Sequence, residues 1–155
     1  MKLGDVLRKE RERKRLTDEK VAAELGISVH QYTDLEAGNS PIEEWGPKLA
    51  KIAIKLSTPT SRLISETGKS AQAKQESGQC GKLIRAHREK RAISHEELAT
   101  RLELPAEELA FIEGGQTPLE IYAPMLLRFA EVIDQPIFNL FYPCGLPLDK
   151  LQDYP

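Results

Sequence analysis

The sequence predicts an all-α protein built of two tandem helical domains joined by a polar linker, and three observations carry that prediction. Sliding the chain by 77 positions pairs identical residues without a gap: Gly4 with Gly81, Arg8 with Arg85, Arg11 with Arg88, Ala22 with Ala99, Glu36 with Glu113, Gly38 with Gly115, Pro47 with Pro124 and Leu63 with Leu140. Apolar residues recur at helical spacing and nowhere alternate as a strand requires. The stretch from Ser65 to Gln79 has alanine as its one apolar type among Gly, Ser, Gln and charged residues, the composition of a connector. The expected boundaries are a first domain at 1–66, a linker at 67–79, a second domain at 80–142 and a tail at 143–155. A helical extension through Ala71 to Glu76 is the alternative for the connector.

Each helix follows from its own residues. Leu3, Val6 and Leu7 open the first; Val21, Ala22 and Leu25 form a second stripe, Tyr32 and Leu35 a third, and Leu49, Ile52, Ala53 and Leu56 a fourth. Thr17 and Ser28 stand where amino-terminal caps are needed, and Gln31 completes a capping box with Ser28. Gly26 and Gly38 suit left-handed terminations, and Pro47 suits a first helical turn. The second copy repeats the scheme with a Ser94–Glu97 capping box and with Leu98, Leu102, Leu109, Ile112, Leu126, Phe129 and Ile133 as its core.

Composition narrows the classes of function. At 155 residues with a net charge of −2, the chain is neither fibrous nor basic overall. Residues 1–68 hold 12 basic and 11 acidic side chains, whereas residues 69–155 hold 10 and 13, so the halves differ electrostatically. No apolar run is long enough to cross a bilayer and no secretory leader is visible, which places the expected location in the cytoplasm. Cys80 and Cys144 lie outside any metal-ligand spacing, so free thiols are expected, with a redox pairing of the two as the alternative. His30, His87 and His95 are scattered, and neither a Gly-rich phosphate loop nor a metal-binding motif is present; no catalytic residue, metal or cofactor is expected.

The stretch Leu16-Thr17-Asp18-Glu19-Lys20-Val21-Ala22-Ala23-Glu24-Leu25-Gly26-Ile27-Ser28, continuing to Leu35-Glu36-Ala37-Gly38-Asn39-Ser40-Pro41, resembles the phage-repressor (Cro, XRE) helix-turn-helix. The resemblance covers nearly all of 3–65 and again 80–142. It implies two five-helix, lambda-repressor-like domains, in which the second helix lies over the groove of double-stranded DNA and the third enters it. It also implies structural ion pairs, Arg11 with Glu36 and Arg88 with Glu113. The residues it would set toward DNA are Thr17, Asp18, Ser28, Val29, His30, Thr33, Asp34, Asn39 and Ser40. As base readers these are sparse: His30 donates, Val29 suits a thymine methyl, and Asp34 accepts from cytosine. Capped helix termini at Thr17 and Ser28, with Asn39 and Ser40, are the expected phosphate contacts.

The second copy departs from the pattern. Glu103 replaces Gly26, Pro105 replaces Ser28, and Glu107 and Glu108 open its third helix, so it is not expected to read DNA. Phe111, Met125, Ile137, Phe138 and Tyr142, with Leu146 and Leu148 of the tail, are apolar and form either an exposed patch for homodimerisation or a protein partner, or a surface the tail covers. The expected function is a DNA-binding transcriptional regulator reading through its first copy. The alternative is a protein-interaction module that keeps the repressor fold without DNA.

Overall fold

A computed structural model describes residues 1–69 and 76–144. The first half runs α1 (Leu3–Arg13), α2 (Asp18–Leu25), α3 (Val29–Ala37), α4 (Ile42–Lys55) and a 3-10 turn, Thr60–Leu63. The second half runs α5 (Gln79–Lys90), α6 (His95–Leu102), α7 (Ala106–Glu113), α8 (Leu119–Val132), then 3-10 turns at Ile137–Leu140 and Tyr142–Cys144. No strand occurs among the described residues. From α2 onward, each element of the first half starts 77 positions before its counterpart. The fifth element of each half is a 3-10 turn rather than the α-helix that the resemblance implied. Residues 70–75 of the connector and 145–155 of the tail, with Leu146 and Leu148, lie outside the described residues, as does the Tyr142 side chain.

Local chemistry sets the helix ends. Thr17 Oγ1 accepts the Lys20 N–H at 3.1 Å. Ser28 Oγ accepts the Gln31 N–H at 3.1 Å while Gln31 Oε1 takes the Ser28 N–H at 2.9 Å, a complete capping box. The Ser94 box is half formed: Ser94 Oγ accepts the Glu97 N–H, but the Glu97 carboxylate turns to Arg101 at 2.6 Å. Gly26 ends α2 at φ +71°, and Glu103 ends α6 at φ +57° without the freedom of glycine. Pro47 is not in a first turn. Ser40 Oγ accepts the Ile42 N–H at 3.2 Å and starts α4 five residues earlier, which leaves Pro47, like Pro124 in α8, inside its helix.

Two features seat α1, one against α3 and one against α4. A Cβ on Gly4 would stand 2.3 Å from the Leu35 carbonyl oxygen, and one on Gly81 would stand 2.3 Å from that of Ile112, so each helix crosses at a contact no side chain permits. The Glu43 carboxylate then accepts the Leu3 and Gly4 N–H groups at 2.9 and 2.7 Å. Glu120 does the same for Cys80 and Gly81 at 3.1 and 3.0 Å, and burial pushes its carboxyl above the ordinary range.

The halves pack on each other chiefly through α4 against α8. At Gly46 of α4 a Cβ would press on Leu3 of α1 at 2.6 Å, while Leu126 and Phe141 of the second half would lie at ordinary contact distance. This packing corrects the expected surface patch. Ile137 is 3% exposed and Phe138 half-buried because the Ile137–Leu140 turn folds inward, and Met125 of α8 is half-buried against the core. Phe111 remains 49% exposed, and Ile121 on α8 is more exposed at 63%.

Candidate nucleic-acid interface

The expected ion pairs form in both halves. Arg11 Nε and Nη2 reach the Glu36 carboxylate at 2.6 and 3.1 Å, and Arg88 reaches Glu113 at 2.9 and 3.0 Å. Each guanidinium also donates to a loop carbonyl, Leu16 or Ile93, at 3.0 Å. A planar fork that donates from all three of its nitrogens fixes the end of α3 on α1, and of α7 on α5. Hydrogen bonding to its carboxylate raises each guanidinium further above its ordinary range.

That frame presents the outer face of α3. Val29, His30, Gln31 and Thr33 are exposed, His30 most openly, with its Nε2 3.7 Å from Asp34. Thr33 Oγ1 donates to the Val29 carbonyl at 2.8 Å, which leaves its methyl and its lone pairs facing out. The capping box uses the Ser28 and Gln31 N–H groups, so those of Val29 and His30 remain as first-turn donors among the described residues. Asn39 is exposed in the loop that follows, while the Ser40 hydroxyl accepts from Ile42 and keeps its own O–H to donate.

Two of the expected residues, Asp18 and Asp34, have surroundings within the chain that bear on that role. The α2 amino terminus holds the protein's own anion: Asp18 Oδ1 accepts the Glu19 N–H at 2.9 Å. Hydrogen bonding with the Glu19 side chain lowers the Asp18 carboxyl, so a carboxylate stands where a phosphate would dock. Asp34 is half-buried and lines a cleft of about 260 Å³ with Gln31, Asn39, Ser40, and Ile121, Tyr122 and Met125 of the second half. It faces the seam between the halves.

Between Arg11 and Lys20 the chain carries a run of basic residues, and much of it is committed internally. Arg11 pairs with Glu36, Arg13 with Glu10, and Lys20 with Glu24 at 3.2 Å, whereas Lys14 and Arg15 carry no ion pair among the described residues. No cluster of His, Cys, Asp and Glu suited to a metal occurs among the described residues. Cys80 and Cys144 are free thiols, and burial raises Cys80 above the usual thiol range. No helix of the described residues is long and apolar enough to cross a membrane.

The corresponding face of the second half is bonded to the protein itself. His95, at the Asp18 position, lies 3.5 Å from Glu113 through Nδ1 and 2.7 Å from the Ala106 carbonyl oxygen through Nε2, closing α6 onto the start of α7. Pro105 offers no side-chain acceptor as N-cap. Glu108 pairs with Lys48 of α4 at 2.8 Å, and Lys48 sits 4.3 Å over the Trp45 ring. Sequence reasoning missed Glu43 and Glu120, although they too stand 77 apart; the contact between Lys48 and Glu108 has no signal in the chain.

Residues 2–50 match the family model of a helix-turn-helix domain, a span that covers α1 to α3 and most of α4. No curated protein and no solved structure matches the chain.

Proposed function

We propose that the protein is a DNA-binding transcriptional regulator that reads duplex through α3, while its second half, a diverged copy of the same helix-turn-helix domain, makes protein contacts only. The observation that carries this reading is the exposed α3 face: Val29, His30 and Thr33 project from a helix whose amino terminus keeps two N–H donors, within the span that matches a helix-turn-helix domain. The donors suit a backbone phosphate. The Val29 side chain and the Thr33 methyl suit thymine C5-methyl groups, and a His30 ring N–H suits the acceptor edge of guanine.

Selection from a random duplex library, followed by anisotropy titrations, tests it. The expected product contains thymines whose replacement by uracil weakens binding, because the methyl contacts are lost. His30→Ala with Thr33→Ala lowers affinity for the selected duplex and flattens sequence preference. Absence of duplex binding at low salt, or binding indifferent to both changes, overturns the reading. A protein-interaction module is the second reading, favoured by the Asp18 carboxylate at the start of α2 and by the net charge of −2. Capture of one protein partner by a chain that binds no duplex would select it.

A further inference from the structure

The contacts between the halves obey an exchange rule. α4 packs on α8, its own counterpart; α2 packs on α8 while α4 packs on α6; the first 3-10 turn packs on α5 while the Ile137–Leu140 turn packs on α1. Every extensive contact between the halves recurs with the halves exchanged, or joins an element to its counterpart. Such reciprocity defines an isologous two-fold interface, in which a patch meets its own copy. We infer that the second half is a covalently attached stand-in for the second subunit of a two-fold dimer, so that the chain works as a monomer with one reading helix.

Side chains have diverged across this pseudo-two-fold axis in a way that disfavours a pair of second halves. Arg128 Nη2 meets Glu24 at 2.6 Å, whereas the exchanged positions hold two cations, Lys51 and Arg101, and Arg101 turns to Glu97. Lys48 meets Glu108, whereas the exchanged positions, Gln31 and Met125, line the open cleft. Two second halves paired this way would set Arg101 against Arg128 and Glu108 against Met125, so charge opposes that pairing. Gln79 Nε2 donates to the Ile64 carbonyl at 3.0 Å, which brings the start of the second half back to the end of the first. Covalent attachment gives an effective concentration on the order of millimolar, about a thousandfold above a second chain at micromolar concentration. The face that a second chain would use is already covered.

Sedimentation equilibrium of the full chain across the micromolar range is expected to show one species of 17.4 kDa. A species of twice that mass, growing with concentration, overturns the inference. Lys48→Glu and Glu108→Lys are each expected to lower Tm by a few degrees at every chain concentration, and the double variant to recover part of the loss, since Lys48 also pairs with Glu44 at 3.6 Å. No loss in either single variant, or a loss that shrinks as concentration rises, overturns it. These two arms need no DNA, so their failure is distinct from failure of the proposed function. The single reading helix rests on that function: a selected duplex should saturate at one chain with one major-groove segment protected. Two protected segments per chain, or no duplex binding, overturn that part and leave the fused pair to the first two arms.

Discussion

α3 and α7 start 77 positions apart and are held by the same frame, yet their outer faces have different chemistry. Gly4 and Gly81 admit them equally closely, and Arg11–Glu36 and Arg88–Glu113 clamp them with the same geometry. Outside the frame, α3 opens on a complete capping box and presents Val29, His30 and Thr33. α7 opens on Pro105, and its counterpart positions hold Ala106, Glu107 and Ala110. The difference separates two demands on a sequence: a helix crossing constrains the inner residues through sterics and one shielded ion pair, and leaves the outer ones to the partner.

The largest expected effect falls on the shared frame. Gly4→Val and Gly81→Val each drive a side chain into a carbonyl, and a loss of about 3 kcal/mol or more is expected for either in urea unfolding. A valine tolerated in one half alone breaks the equivalence of the two crossings. Glu36→Ala and Glu113→Ala strand a mostly shielded guanidinium, and each is expected to cost about 3 kcal/mol. Equal losses sharpen the comparison, and a marked inequality shows that one clamp is dispensable.

The turn between helices separates the halves by less. Glu103 holds φ +57° where Gly26 holds +71°. A side chain in that region costs about 1–2 kcal/mol, so Glu103→Gly is expected to stabilise the protein by about 1 kcal/mol and Gly26→Ala to destabilise it by a similar amount. Both are read from the denaturation midpoint. The smallest effect concerns the seam. Lys20, through its hydrogen bond and charge, and then Arg128 hold the Glu24 carboxyl below its ordinary range. A depressed folded value means that this stability is present above the ordinary glutamate range and is lost as pH falls through the folded value. The Tm deficit of Glu24→Gln against the unaltered chain should therefore shrink on acidification below that range and with added salt.

Much of the frame was legible in the sequence because its constraints are local or repeated. Thr17, Ser28, Gly26 and the apolar stripes each announce a helix end or an inner face, and the offset of 77 carries that reading from one half to the other. Pro47 was misplaced because Ser40, an acceptor seven residues earlier, starts the helix first. The fate of Ile137 and Phe138 was not legible, since both are apolar in a loop and only the packing of the halves decides which is covered. Asp34 was set toward the groove by the resemblance; the cleft it lines is completed by Ile121, Tyr122 and Met125, nearly ninety positions away. Contacts across the seam leave no periodic trace.

The difference between the two faces is tested most directly by parallel changes at the same repeat position, His30→Ala in α3 and Glu107→Ala in α7, each titrated against the selected duplex at fixed salt. Weaker and less selective binding is expected for His30→Ala, with the Glu107→Ala chain keeping the affinity and preference of the unaltered protein. Loss of preference on changing Glu107, or none on changing His30, would contradict that expectation.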